Sequence, residues 1–353
     1  MRKWFAFLSI LTLIFVFAAC GNSNSTSSNG QEGSPDSSDS GSSKTTISGE
    51  LHFYTSQPDE DAQRLVQAFN EKYPDVKVYT FRSGTEEVIA KIKAEQEGGN
   101  IQADVLLVAD AVTFESLKNE NLLLSYRSKE ADQIPEKFVD GDGMYTGTKV
   151  MATVLAYNTN KVKNAPDSWL ALTESGSKGN SIMPSPFYSG AAAYNLGIFV
   201  RQETFGWDFY KKLKGNEMAV AQGNGAVLKS VASGEKSYGV IVDYLAARAK
   251  KEGSPMELVY PKEGVPVITE PIAIMKGTKN EEAAKAFVDF VLSEEGQKLA
   301  AELGYTPIRK GVEAPEGLKT IDEMKVIDAD INELYQAREE DKTKFGEIFG
   351  KQQ

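Results

Sequence analysis

Residues 51–117 alternate between two hydrophobic periods. Leu51-His52-Phe53-Tyr54 is a short extended run, stopped by Thr55-Ser56-Gln57-Pro58. A helical pattern follows, with Ala62, Leu65, Val66 and Phe69 on one face and Lys72-Tyr73-Pro74 as its stop. Val76-Lys77-Val78-Tyr79 reads as a second strand, and Arg82-Ser83-Gly84-Thr85 leads into a helix carrying Val88, Ile89 and Ile92. Ala103-Asp104-Val105-Leu106-Leu107-Val108 ends in an apolar run, the mark of a strand covered on both faces. After Asp110 a further helix passes through Phe114 and Leu117. Strand and helix repeating in this way specify a largely parallel sheet with helices on both sides, an α/β fold.

The alternation resumes after Tyr157. Met151–Tyr157 and Val265–Met275 are the two longest extended segments, and about 110 residues with their own helical patterns lie between them. Three helical stretches follow, at 281–292, 294–303 and 322–339. The two extended segments read as crossings between lobes. Residues 50–152 and 272–353 are expected to form lobe 1, and residues 153–271 lobe 2, with a crossing strand at each end. From Glu50 to Phe349 the body has about 300 residues, enough for two ordinary domains.

The opening, MRKWFAFLSILTLIFVFAAC, has Arg2 and Lys3, then an apolar stretch, then Ala18-Ala19-Cys20. Residues 1–19 read as a secretory signal peptide. Cys20 sits as the lipid-modified cysteine does in a bacterial lipobox, although Phe17 stands where Leu is commoner. It is the chain's single cysteine, so no intrachain disulfide is available and the core must hold the fold. Residues 20–49, almost all Ser, Asn, Gly, Asp and Thr after the cysteine, read as a disordered tether. The expected location is the outer face of the cell membrane, held by lipid. The net charge of -11 argues against nucleic acid and against a polybasic membrane patch.

In open parallel sheets, ligands bind beyond the carboxyl ends of strands, where helices begin. Several loops there share a character. Ser56 and Gln57 follow the first strand, Ser83 and Glu86 have capping-box spacing, and Ser189-Gly190-Ala191 opens a helix after Pro184 and Pro186. Gln222-Gly223-Asn224-Gly225 opens another. A helix start carries about half a positive charge and free N–H donors, so it can hold an anion without Lys or Arg. Two readings are open for Ser189: a plain N-cap, or part of an anion site. Asp243 and Tyr244 end the apolar run Tyr238–Val242 and face the same expected cleft, with a plain N-cap and a packed ring as their alternatives.

With these pieces placed, the chain resembles the extracellular solute-binding proteins of bacterial ABC importers. Within them it is similar to the branch of ferric-ion, sugar-phosphate and 2-aminoethylphosphonate binders, which have the type II periplasmic-binding-protein fold. The resemblance is carried by HFYTSQPDEDAQRLVQAFNEKYP, ADVLLVADAVTFESLKNENLL, SPFYSGAA, QGNGAVLKSVASGE and VITEPIAIMKGTKNEEAAKAFVDFVLSEEGQKLAAELGYTPIR. It implies two α/β lobes closing over a solute, and an ABC permease as partner. It also implies a lipid anchor at Cys20 in a Gram-positive cell, and a monomer. Ferric binders of the branch use a histidine, a glutamate and two adjacent tyrosines. Here those positions hold Pro58, Ala109 and Asp243-Tyr244, so Tyr244 alone remains on the metal side. Ser189, Gly190, Ala191 and Asn224 match the branch's helper-anion site.

The expected function is capture of a small anionic solute, a phosphonate or phosphorylated compound, for import. The expected contacts are Ser56, Gln57, Ser83 and Asp110 on one lobe, and Ser189, Gly190, Ala191, Asn224, Asp243 and Tyr244 on the other. In this reading Asp243, Asp110 or Glu270 pairs a cationic far end, or accepts hydroxyls from a sugar. A ferric ion on Tyr244 with a helper anion is the alternative within the class, a polyamine a third solute, and a sensory accessory to a membrane kinase the alternative outside it. No cofactor and no resident metal are expected. His52 is the one histidine, and the chain has neither a nucleophile elbow nor a phosphate loop ending in Gly-Lys-Ser/Thr, so an enzyme is not expected.

Overall fold

The computed structural model describes residues 46–350. The signal peptide, Cys20 and most of the tether lie outside the described residues. The chain begins with β1 (Gly49–Thr55), α1 (Asp59–Lys72), β2 (Val76–Arg82), α2 (Thr85–Glu97), β3 (Val105–Leu107), α3 (Ala111–Asn119), β4 (Leu123–Leu124) and β5 (Thr146–Gly147). β6 (Lys149–Asn158) leads to β7 (Ser181–Pro184), α4 (Gly190–Val200), α5 (Gly206–Gly215), β8 (Ala219–Ala221), α6 (Asn224–Ala232), β9 (Tyr238–Val242), α7 (Asp243–Lys251) and β10 (Met256–Val259). β11 (Val267–Ile268), β12 (Pro271–Met275), α8 (Glu281–Leu292), α9 (Glu294–Glu302), β13 (Thr306–Pro307) and α10 (Ile331–Phe349) follow.

Two mixed sheets result. The first has the order β2-β1-β3-β12-β4, with β5 also on β12; β1 is parallel to both neighbours and β12 antiparallel to β3. The second has the order β10-β6-β9-β7-β8, with β7 parallel to β8 and β9, and β6 antiparallel to β9 and β10. Val105, Leu106 and Leu107 are fully buried, as their unbroken apolar run requires. Phe287 of α8 packs on Phe53 of β1 and Phe69 of α1, with centroids 4.8 and 4.9 Å away. Trp169, Phe205 and Phe209 pack around Phe199 of α4 beside the second sheet.

β6 is the strand that joins the two. Its first residues pair with β13 and β11, and from Thr153 onward it pairs with β9 and β10. The second extended segment, expected as one run over 265–275, breaks into β11 and β12 at Thr269-Glu270. Glu270 has φ +34°, a backbone region costly for a residue with a Cβ. Its surroundings hold it there: the amides of Thr148 and Lys149 donate to the Thr269 carbonyl, and Lys149 Nζ lies 2.6 Å from the Glu270 carboxylate.

The last helix also differs from expectation. A capping box between Thr320 and Glu323 supports a single 3-10 turn at 321–323, while the long helix starts at Ile331 under an Asp330 cap. It ends at Phe349 and packs on α3, α4 and α5.

Candidate functional site

Most helices here neutralise their own positive ends. α1 begins with Asp59, Glu60 and Asp61, α2 with Glu86 and Glu87, α8 with Glu281 and Glu282, and α9 with Glu294 and Glu295. α3 has Asp110 as its cap. α4 and α6 have no acidic residue in the first turn and none at the N-cap, which is Ser189 for α4 and Gly223 for α6. These two starts are adjacent. Asn224 Nδ2 donates to Ser189 Oγ at 3.3 Å, and Asn224 Oδ1 accepts from the Val242 amide at 3.2 Å. Ser189 Oγ also accepts from the Ala192 amide, while the amides of Gly190 and Ala191 have no acceptor among the described residues. Ser189 therefore caps α4 and leaves two backbone donors in the same turn.

The opposite wall comes from the first sheet's loops. A Cβ added to Gly190 would lie 2.9 Å from the Ala109 carbonyl oxygen and from Thr85 Cβ. The Glu86 amide donates to the Tyr188 carbonyl at 3.3 Å. The Tyr188 ring lies between Gly84 and Gly223, so that a Cβ at either would meet it at 2.7 or 3.1 Å. Ser56 Oγ accepts from the Ala109 amide at 3.2 Å, which fixes the loop after β3. The structure thus brings Ser56, Ser189, Gly190, Ala191 and Asn224 into one neighbourhood, with Tyr188 as a clamp that the sequence reading did not single out.

Four expected site residues are differently engaged. Gly84, not Ser83, stands at the α2 N-cap; the Ser83 hydroxyl donates to Glu87, and Glu86 turns away to Arg338 and Lys342. No Ser83–Glu86 capping box forms. Asp110 is fully buried, caps α3 through the Thr113 amide, and receives Arg338 Nη1 on both oxygens at 3.2 and 3.0 Å. Gln57 is buried too: its Nε2 donates to Glu270 at 3.4 Å, and its Oε1 has no partner among the described residues. Asp243 accepts from the amides of Ala152 and Tyr244 and from the Tyr260 hydroxyl, at 3.1, 2.9 and 3.0 Å. Burial outweighs those donors and pushes its carboxyl up to about 7.

Tyr244 packs on Tyr305 with centroids 4.1 Å apart and the rings tilted by 33°, and the Arg248 guanidinium lies 5.3 Å from the Tyr244 ring centroid. Burial pushes the Tyr244 phenol far above the usual range. Among the described residues no three His, Cys, Asp or Glu side chains gather to hold a metal ion. Around Tyr244 the charges are matched: Arg248 forks onto Asp61 at 2.9 and 3.0 Å, Tyr305 donates to Asp61 at 2.6 Å, and Lys149 meets Glu270. The chain positions of Arg248, Arg338, Lys149 and Tyr305 carry no motif that announces these pairings.

Two α/β layers joined through β6, with helix starts from both meeting at one seam, define a two-lobed binding architecture of the type II periplasmic class. Residues 64–326 match the model of the bacterial extracellular solute-binding proteins, and the chain belongs to that family. An uncharacterized protein of Haemophilus influenzae is 32% identical over 275 residues, 74% of this chain and 78% of the relative. A probable ABC transporter periplasmic-binding protein, y4fP of Sinorhizobium fredii, is 29% identical over 239 residues, 64% of this chain and 65% of that protein. Among solved structures, the periplasmic binding protein AfuA from Actinobacillus pleuropneumoniae, with exogenous fructose-6-phosphate bound, superposes with a TM-score of 0.80. It is 28% identical, and the match covers 86% of this chain and 99% of AfuA.

Proposed function

We propose that this protein captures a small solute bearing a phosphate or phosphonate group and delivers it to an ABC permease. The group is held between two closing lobes, one built on residues 50–152 with 272–330 and the other on residues 153–271. A lipid on Cys20 and the tether of residues 21–49 keep the body at the outer face of a Gram-positive cell membrane. The observation that carries the reading is the pair of acid-free helix starts, α4 and α6, bridged by Ser189 and Asn224. Their amides suit an anion with no need for a basic side chain.

The matched carboxylates narrow the rest of the solute. Asp110 is paired with Arg338, Glu270 with Lys149 and Asp61 with Arg248, while Asp243 is surrounded by hydrogen-bond donors and burial disfavours its ionised form. Three of these four carboxylates already have a cation, so we read the remainder of the solute as uncharged, as in a hexose or glycerol phosphate.

A thermal-shift panel tests this, since a ligand that binds only the native state raises the melting temperature with concentration. Hexose and glycerol phosphates are expected to stabilise, and 2-aminoethylphosphonate, spermidine and ferric citrate are not. Stabilisation by the aminophosphonate as well would remove the restriction on charge. Stabilisation by spermidine or ferric citrate, without any phosphate, would remove the anion reading itself.

A further inference from the structure

α10 lies across the seam and grips its two sides with different chemistry. Toward the second sheet the contact is largely apolar. Phe345 is buried, with the rings of Phe187 and Tyr210 at 6.2 and 5.9 Å, and Leu334 fills the space beside Gly197, where a Cβ would lie 2.8 Å from Leu334 Cδ2. Arg201 of α4 adds pairs to Asp341 and Glu333 at 2.7 and 3.0 Å. Toward the first sheet its side-chain bonds are ionic. Arg338 reaches Asp110 at the start of α3 and Glu86 at the start of α2, at 3.0 and 2.7 Å, and Lys342 reaches Glu86 at 2.7 Å. Glu86 also donates its amide to the Tyr188 carbonyl, so the ionic cluster and the seam share one residue.

We propose that α10 travels with the second lobe and is a latch on closure. Arg338 and Lys342 dock on the starts of α2 and α3 when the lobes meet and leave them when the lobes part. The apolar side stays buried throughout because exposing Phe345 and Leu334 to water is unfavourable, whereas Arg338, Lys342, Glu86 and Asp110 regain hydration on parting, which offsets much of the lost attraction. The strength of the closed state is then set by residues that do not touch the solute, since any interaction present in one state alone shifts the equilibrium. The inference rests on the two-lobe reading but not on the identity of the solute.

Hydrogen exchange read by mass spectrometry on the full chain, with no solute added, tests the latch. Lys342→Gln and Arg338→Gln are compared with the parent protein at residues 83–90 and 186–192, which meet at the seam, and at β3 as an internal reference. Exchange at both seam stretches is expected to rise roughly tenfold in Arg338→Gln, equivalent to about 1.4 kcal/mol, and by less in Lys342→Gln. Residues 105–107 and α10 itself keep their protection. Unchanged exchange at the seam in both variants would make α10 a static brace and overturn the proposal. Faster exchange throughout Arg338→Gln means that the uncompensated Asp110 has weakened the fold. Lys342→Gln then decides: a rise confined to the seam supports the latch, and no rise overturns it.

Discussion

Asp243 illustrates how a residue's neighbours decide its role. It follows a buried strand, and its carboxylate collects two backbone amides and the Tyr260 hydroxyl. Because its folded pKa of about 7 lies above the ordinary aspartate value of 3.8, the folded state holds a proton that the unfolded state has released between those values. The sign follows: its contribution to stability is complete below about pH 4, declines as pH rises, and is lost once pH passes 7. Asp243→Asn keeps an oxygen for both amides and offers Nδ2 to the Tyr260 hydroxyl. Denaturant melts of both proteins should show the parent losing stability relative to Asp243→Asn between pH 4 and 7, then a constant difference. A difference independent of pH would mean the carboxylate is ionised throughout.

At the scale of an element, α4 differs from its neighbours by what its first turn lacks. Gly190 through Phe199 are buried, so the helix is held by packing on all sides and needs little help from its cap. Ser189→Ala removes the bond from the Ala192 amide and is expected to lower stability by about 1 kcal/mol. Since the amides of Gly190 and Ala191 remain, titration with glucose-6-phosphate should show affinity reduced by no more than about tenfold. A loss of several hundredfold would assign the anion to the hydroxyl rather than to the helix start. α6 is tied to α4 through Asn224, whose Oδ1 also satisfies the Val242 amide, so the second helix start is positioned by β9.

For the whole molecule, the seam is a close approach that glycines permit. Gly190→Val would push a side chain into the Ala109 carbonyl and Thr85, across the seam rather than within one layer. The lobes should therefore fold and remain apart. Circular dichroism should be unchanged, small-angle scattering should report a larger radius of gyration, and hexose-phosphate binding should fall at least about a hundredfold, because solute binding and closure are linked. A compact variant with parental affinity would show that the seam around Gly190 does not close on the solute.

Local pattern carried the α/β class, because a period of two or of 3.6 needs only adjacent residues to be expressed. It also carried the glycine- and serine-rich start of α4, since a capping residue acts within one turn. The pairing of Asp110 was beyond its reach: the partner, Arg338, lies 228 positions away on a polar helix with no motif. The same holds for Arg248 with Asp61, for Lys149 with Glu270, and for Tyr188 between two glycines. Sequence by itself determined most of the strands and helices, and which helix starts carry no acid. Only the tertiary structure decided which carboxylates already have their cations, because electrostatic pairing depends on distance in space and not on distance along the chain.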